Sequence, residues 1–148
     1  SDVIAIAAGW FSGFALRRDG TVWEWGLSYS DNSNRLSPVQ TPGLTGVVGL
    51  GAGNYHAIAI RSDGTTWYWA AGATPTPLAD VNGLRGTAFG RGFTLLLRPD
   101  SSVLAFGANE LGELGDGTTT YRSAPVPVKS RSDRWFYRRI ACTTSRLT

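Results

Sequence analysis

Three stretches of the chain share one frame without gaps, and this internal repeat limits the fold more than any other feature. The stretches are IAAGWFSGFALRRDGTVWEWG, LGAGNYHAIAIRSDGTTWYWA and TAFGRGFTLLLRPDSSVLAFG. In each, a glycine lies ten residues before an aspartate, and an aromatic residue follows the aspartate by six, as in Gly53, Asp63 and Trp69. Successive copies are offset by 44 and then 37 residues. A regular period of this length indicates a repeat architecture rather than a sandwich of unrelated hairpins.

Each copy has the pattern of short antiparallel strands joined by tight turns. In the second copy, 47–53 and 56–62 are apolar and rich in β-branched residues, and a third strand at 65–70 follows the dipeptide Asp63-Gly64. Glycine accepts a positive φ and the aspartate side chain can bond to nearby backbone N–H groups, so the dipeptide predicts a tight turn.

A proline-containing segment closes each copy, at 37–46, 74–86 and 123–128. Because proline lacks an N–H, these segments are predicted to be outer edge strands. Units of three to four strands that are apolar on both faces are what β-propeller blades require, since each blade packs against two neighbours. The sequence therefore predicts an all-β fold of propeller blades.

The repeat is similar to the regulator-of-chromosome-condensation repeat, a blade of seven-bladed β-propellers, over roughly residues 2–128. The shared pattern is a strand ending in Ala-Gly, an aromatic corner, an apolar strand, Asp-Gly-Thr and an aromatic-x-Trp-Gly strand. The segment FGANELGELGDGTTT resembles the family's loop after the Trp-Gly strand, with these positions in place: Asn109, Gly112, Leu114, Gly115 and Gly117. Glu113 departs from the family's usual Gln, and the first two copies have other loops at this point.

The repeat frame divides the chain into blade 1 at 2–46, blade 2 at 47–86, blade 3 at 87–129 and a basic tail at 130–148. The tail segment 138–145 resembles the family's first strand and predicts the start of a further blade, with a frayed terminus as the alternative. Propellers use about four to eight blades, so three predict an incomplete ring. Such a chain is either part of a longer propeller or a homo-oligomer whose copies cover each other's exposed sheet faces.

Charge and composition exclude several classes of function. Residues 129–148 carry six basic side chains and one acidic one, so residues 1–128 are slightly negative and nucleic-acid binding is not expected. No apolar window is long enough for a membrane helix, and no membrane contact is expected. A single cysteine, Cys142, and a single histidine, His56, exclude multi-cysteine and multi-histidine metal sites, and no metal or cofactor is predicted. Cys142 is interpreted as a buried apolar residue.

The titratable residues of the repeat do not predict catalysis. His56 begins the second strand of its copy, where a structural hydrogen-bonding role is favoured over that of a general base. Asp19, Asp63 and Asp100 recur at the same turn of every copy, so turn chemistry explains them without a catalytic carboxylate pair. The chain is therefore predicted not to be an enzyme.

Binding is better supported, because the corners after Gly9, Gly53 and Gly90 are equivalent in the repeat and are expected on one rim. Aromatic residues and arginine are enriched at interface hot spots. The candidate binding residues at these corners are Trp10, Phe11, Asn54, Tyr55 and Arg91. Phe11 and Tyr55 also resemble the corner positions of the family's bacterial β-lactamase-inhibitor propellers. The alternative is that the rings only seal the interface between blades.

The sequence thus predicts a non-catalytic protein-binding propeller, of which enzyme inhibition is one special case. Two other functions stay open. The family's eponym implies guanine-nucleotide exchange on a small GTPase with chromatin binding, although that function needs a full ring and a wedge hairpin that this sequence does not show. Carbohydrate binding through the tryptophan-rich rim is the third, because aromatic rings stack on sugar faces.

Overall fold

A computed structural model describes residues 2–129 as three four-stranded antiparallel sheets in which strand order follows chain order. The first sheet has β1 Val3–Ala8, β2 Ser12–Arg17, β3 Val22–Leu27 and β4 Asn34–Gln40. The second has β5 Val47–Ala52, β6 His56–Arg61, β7 Thr65–Ala70 and β8 Thr76–Asn82. The third has β9 Gly86–Phe89, β10 Phe93–Leu97, β11 Val103–Gly107 and β12 Arg122–Pro127. The all-β prediction is confirmed, while Cys142 and the strand predicted at 138–145 lie outside the described residues.

The three sheets have the same register, as the repeat frame predicts. The aromatic residue six positions after each repeat aspartate lies opposite the residue twelve positions before it on the neighbouring strand. These pairs are Trp25 with Gly13, Trp69 with Ala57 and Phe106 with Thr94. The three aromatic residues therefore occupy equivalent places in successive sheets.

The predicted turns form between the second and third strands of every sheet. The Asp19 carboxylate accepts hydrogen bonds from the backbone N–H (3.0 Å) and the hydroxyl (2.6 Å) of Thr21. Asp63 accepts the same two hydrogen bonds from Thr65, and Asp100 accepts them from Ser102. These hydrogen bonds, with that from the hydroxyl largest, lower the pKa of each carboxyl below its ordinary value. The three aspartates are thus turn residues.

The third turn departs from the other two at one backbone position. Gly20 and Gly64 take φ values of 79° and 84°, and Ser101 takes 68° at the equivalent position. A residue with a Cβ adopts this left-handed conformation at a cost, which glycine avoids. The third copy therefore retains the turn without the residue best suited to it.

The proline-containing fourth strands lie at the edges of their sheets, as predicted. β4 and β8 end at Gln40 and Asn82, before the predicted segments end at residues 46 and 86. The residues that follow them return the chain to the next sheet. Leu44, for example, is 1% exposed and belongs to the core between the first and second sheets.

The described residues fall into two compact units, one ending at Gly83 and the other beginning at Leu84. The first unit contains the first and second sheets, and the second unit contains the third sheet. Side chains alternate across each sheet, so each sheet has two faces. We call face A the one that carries Ala15, Trp23 and Trp25 in the first sheet, and face B the one that carries Phe14 and Leu16, and we use the same names at equivalent positions elsewhere.

Face B of the first sheet packs on face A of the second. Phe14 meets Trp69 edge-on, with 6.0 Å between ring centroids, and both side chains are at most 2% exposed. Leu16 and Val22 belong to the same cluster as Leu50 and Ala59 of the second sheet. Burial of this apolar area is the main source of stability within the first unit.

A buried carboxylate links the same two sheets. Glu24, on face B of the first sheet, is 2% exposed and accepts a hydrogen bond from the indole Nε1 of Trp69 at 3.1 Å. It also pairs with the guanidinium of Arg35 on β4. Arg35 in turn donates to the carbonyl of Gly72, in the loop after β7, at 3.4 Å. The negative charge is therefore compensated where it is buried.

The glycine-rich loop after β11 is organised around the side chain of Asn109. This amide is fully buried and donates to the carbonyls of Thr118 and Thr120 at 3.0 and 3.1 Å. Its oxygen accepts from the backbone N–H of Leu114 at 2.9 Å. Asp116 pairs with Arg122 at 2.7 Å at the start of β12. The Asn109 side chain thus bonds to backbone groups that have no strand partner in this irregular loop.

His56 is a buried side chain of face B in the second sheet. It is 6% exposed, and its ring lies 5.2 Å from that of Tyr68. Burial disfavours the charged form and lowers the pKa of His56 to about 4. The imidazole is therefore neutral at pH 7.

We expect Trp69→Phe to lower the free energy of unfolding by about 2 kcal/mol or more, because the charged Glu24 carboxylate loses the hydrogen bond that the indole donates and the ring becomes smaller. Trp25→Phe is the matched control, since Trp25 holds the same place in the first sheet but is 36% exposed. The control should change stability by no more than about 0.5 kcal/mol. Urea unfolding measures both, and equal losses in the two variants would contradict this assignment.

We expect the free energy of unfolding to fall as the pH is lowered from 6.5 towards 4. In this window the unfolded state binds a proton on His56 that the folded state excludes, so stability rises with pH, by up to ~3 kcal/mol across it. His56→Gln should remove the slope between about pH 6.5 and 5, above the range in which the carboxylates titrate. His56 is the only histidine in the sequence, so a slope that persists in the variant would refute its origin there.

Candidate functional site

The corners at the same end of the first and second sheets meet in the first unit. The β1–β2 corner contains Trp10 and Phe11, and the β5–β6 corner contains Asn54 and Tyr55. The backbone N–H of Trp10 donates to the carbonyl of Asn54 at 3.0 Å. Gly9 permits this approach, because a Cβ at that position would lie 2.7 Å from the carbonyl oxygen of Gly53.

Four aromatic rings form a continuous cluster over these corners. Trp10 lies 5.6 Å from Phe11 and 5.8 Å from Tyr55, and Tyr55 lies 5.0 Å from Tyr29 in an edge-to-face arrangement. Distances of this size are those of favourable aromatic pairs. We call Trp10, Phe11, Tyr29 and Tyr55 the rim cluster.

Tyr29 is a member of the cluster that the sequence reasoning missed. It lies in the irregular loop between β3 and β4, where its N–H donates to the carbonyl of Ala71 at 2.7 Å, and the N–H of Ala71 donates to the carbonyl of Tyr55 at 3.1 Å. Burial, with a smaller contribution from Tyr55, raises the pKa of the Tyr29 hydroxyl above its ordinary value. The only signal in the sequence is an isolated tyrosine in a polar segment, because the equivalent residue of the second copy is Ala73.

Three rings of the rim cluster have a much larger exposed fraction than the aromatic residues of the core. Phe11 is 60% exposed, Trp10 54% and Tyr55 38%, whereas Trp69 is 2% exposed. Beside Phe11 a shallow groove of about 400 Å³ is lined by Leu27 and the fully exposed Leu36, among others. The cluster and the groove form one apolar surface at this end of the first unit.

The charged groups near the rim cluster are fixed by local hydrogen bonds. Asp31, two residues from Tyr29, accepts from the backbone N–H and hydroxyl of Ser33. Hydrogen bonds from the side chains of Ser28 and Ser33 lower the pKa of Asp31 to about 2. The Asp31 carboxyl is therefore ionised at neutral pH.

The fifth candidate, Arg91, belongs to the second unit. Its corner has the same local geometry as the other two, since the N–H of Gly90 donates to the carbonyl of Phe93 at 2.9 Å, as Gly9 does to Ser12 at 2.8 Å. Arg91 is exposed at this corner. The structure thus brings Trp10, Phe11, Asn54 and Tyr55 together in one unit and places Arg91 at the equivalent corner of the other.

Residues 2–129 contain no group of three or more His, Cys, Asp or Glu side chains placed to hold a metal ion. The repeat aspartates lie at the opposite ends of their sheets from the corners, because β2, β6 and β10 run between corner and turn. Over the same residues, no helix has the length and apolar character needed to cross a membrane.

Comparison with known proteins identifies the repeat. Residues 3–34 and residues 100–145 each match a family model described as the regulator of chromosome condensation (RCC1) repeat. The second copy lies between these matches and shares their frame. The resemblance noted in the sequence is therefore confirmed by two separate matches.

Solved structures similar to this chain are propellers of the same kind. Human WBSCR16 is 18% identical, with a TM-score of 0.73 over 86% of this chain and 40% of that one. Prp20p from Saccharomyces cerevisiae is 19% identical, with a TM-score of 0.77 over 87% of this chain and 39% of that one. Yeast RCC1 (Prp20) in its complex with Kap60 is 19% identical, with a TM-score of 0.75 over 87% and 37%.

These likenesses confirm the fold as three β-propeller blades of this type. The chain spans about two fifths of the length of the solved structures that it matches. The two family matches, the shared register of the three sheets and the similar structures agree on one assignment. The chain belongs to the regulator of chromosome condensation repeat family.

Proposed function

We propose that this chain is a non-catalytic protein-binding propeller module whose rim cluster, with Asn54, contacts the partner. The observation that carries the proposal is the cluster itself, four rings each packed against the next, of which Phe11 and Trp10 are more than half exposed. Exposed apolar patches bordered by polar groups are typical of protein interaction sites.

The exposure of the rings favours binding over the alternative that they only seal the interface between blades. A sealing ring loses its solvent contact, as Trp69 and Phe14 do between the same two sheets. Trp10 and Phe11 instead pack against each other and are 54% and 60% exposed. Prepacked aromatic rings bind with little further loss of rotamer entropy.

The repeat aspartates, Glu24 and His56 support a role without catalysis. The repeat aspartates are engaged in their turns, Glu24 is paired with Arg35, and His56 is buried. None of these is among the residues at the rim cluster. A binding function needs no proton transfer and agrees with this arrangement.

The similar proteins support a protein as the partner. Prp20p binds Gsp1p and histones, and Kap60 binds yeast RCC1. This chain matches about two fifths of the length of those proteins, so we use their partners as test ligands and do not assign them to this chain. We extend the proposed contact surface to Arg91, as an equivalent corner residue of the second unit. Nucleotide exchange on a GTPase, which the family resemblance implies, is the second candidate function.

We expect Phe11→Ala and Trp10→Ala each to weaken binding of a protein partner by about 30-fold, the effect of losing a hot-spot ring worth ~2 kcal/mol. Biolayer interferometry of the immobilised chain, with purified Gsp1p, Kap60 and core histones as probes, measures the change. Tyr121→Ala is the matched control, because Tyr121 is 67% exposed and lies outside the rim cluster.

The proposal is wrong if none of the protein probes binds, or if the rim variants bind them as tightly as the parent chain does. Binding confined to a glycan array would favour the carbohydrate alternative instead. Release of labelled GDP from Gsp1p, accelerated by this chain and lost in Phe11→Ala, would support the exchange-factor candidate.

A further inference from the structure

The loop that carries Tyr29 is joined to the second sheet by the turn that follows β7. The backbone N–H of Ala73 donates to the carbonyl of Ala70 at 2.8 Å and closes this turn. Ala71 is 2% exposed, its carbonyl accepts from the N–H of Tyr29 at 2.7 Å, and its N–H donates to the carbonyl of Tyr55 at 3.1 Å. One residue of the turn thus bonds to the backbone of two members of the rim cluster.

Gly72, the next residue of the turn, binds two further groups of the first sheet. Its carbonyl accepts from the hydroxyl of Ser30 at 2.8 Å and from the guanidinium of Arg35 at 3.4 Å. Arg35 is also paired with the buried carboxylate of Glu24. The Gly72 carbonyl is therefore the point at which the loop that carries Tyr29 meets this ion pair.

The contact between the loop and the turn leaves no room for a side chain on Gly72. A Cβ at this position would lie 2.7 Å from the Cβ of Ser28 and closer still to its Oγ. Ser28 is 1% exposed, and rotation of its side chain moves the Oγ but not the Cβ. A residue larger than glycine must therefore shift the backbone on one side of the contact, and Tyr29 is the residue next to Ser28.

The glycine is a feature of this contact and not of the repeat. Ser28 and Gly72 hold the same position in the first and second copies, and the third copy has Asn109 there. Equivalent loops of the first and second sheets thus touch at equivalent residues. Of the two residues that touch, one has a side chain and the other has none.

We propose that Gly72 is a positioning residue of the rim cluster, because its missing side chain lets the loop bond to the turn and hold Tyr29 edge-on to Tyr55. Tyr55 packs in turn on Trp10, with 5.8 Å between ring centroids, so the position of Tyr29 affects a ring that is 54% exposed. The inference rests on the proposed function, since it concerns the surface that contacts the partner. Gly72 acts here through Tyr29 and not by touching the partner.

Fluorine NMR of the full chain labelled with 3-fluorotyrosine tests the arrangement of the rings without a partner. Tyr29→Phe and Tyr55→Phe assign the two resonances. Gly72→Ala should shift both, because the environment of each ring changes when the loop moves. Gly43→Ala is the matched control and should shift neither, since Gly43 also has a positive φ, 70°, but a Cβ there has nothing within 4 Å. Tyr29 and Tyr55 resonances that stay in place in Gly72→Ala would overturn the proposal.

Biolayer interferometry with Gsp1p, Kap60 and core histones tests the consequence for binding. Gly72→Ala should weaken binding by about tenfold, and Gly43→Ala should bind as the parent chain does. In a Tyr29→Ala background, Gly72→Ala should cause no further loss, because changes that act through one residue are not additive. Parent-like affinity of Gly72→Ala, or a tenfold loss that persists without the Tyr29 ring, would contradict the role of Gly72.

Two further variants separate positioning from a general loss of structure. Near-ultraviolet circular dichroism shows whether Gly72→Ala is folded, and Ser30→Ala, which removes only the hydrogen bond to the Gly72 carbonyl, replaces it if it is not. Ser28→Gly removes the clashing Cβ, so Gly72→Ala should cause smaller shifts and a smaller loss of affinity in that background. If no protein probe binds the parent chain, the proposed function is wrong, and the fluorine resonances alone still decide whether Gly72 positions Tyr29.

Discussion

Each sheet of this molecule is apolar on both faces, so no sheet can be stable with water on both sides. Face B of the first sheet and face A of the second satisfy this requirement for each other, with Phe14, Leu16, Leu50 and Trp69 in one buried cluster. Hydrophobic burial of this kind is not directional, and it would tolerate several relative positions. The repeat frame gives both sheets the same register, and this shared register restricts the contact to one relative position.

The rim cluster is a consequence of that packing. Two equivalent sheets placed face to face bring their equivalent corners together, and Gly9 allows the backbones of the two corners to touch. The aromatic residues then lie side by side because they occupy corresponding positions in the repeat. The site therefore needs no dedicated element, since sheet packing positions Trp10 and Tyr55, and the loop that carries Tyr29 completes the cluster.

Sequence reasoning predicted the features that depend on local chemistry. Strand positions, the aspartate turns and the edge position of the fourth strands all follow from residue types at short range. It also predicted that Trp25, Trp69 and Phe106 would be equivalent, because a shared frame implies a shared register. Four of the five candidate binding residues come together in the first unit for the same reason.

The features that sequence reasoning missed depend on contacts between distant residues. Tyr29 reaches the cluster through a loop without repeat equivalents, so no pattern marks it. The bonds of Glu24 with Arg35 and Trp69 join residues 11 and 45 positions apart. The contrast between Trp25 and Trp69 is also invisible in the sequence, because identical residues at identical positions differ only in what lies against them.

The hydrogen bond between Glu24 and Trp69 affects which of several similar sheets pair with each other during folding. Glu24 corresponds to Tyr68 in the second sheet and to Ala105 in the third. In a chain of similar units, incorrect pairings during folding are a recurrent hazard. Of the three sheets, only the first offers a carboxylate at this position, so only the pairing of its face B with a tryptophan-bearing face A gives the indole N–H a carboxylate acceptor. One buried hydrogen bond thereby distinguishes the correct partner from interchangeable apolar surfaces.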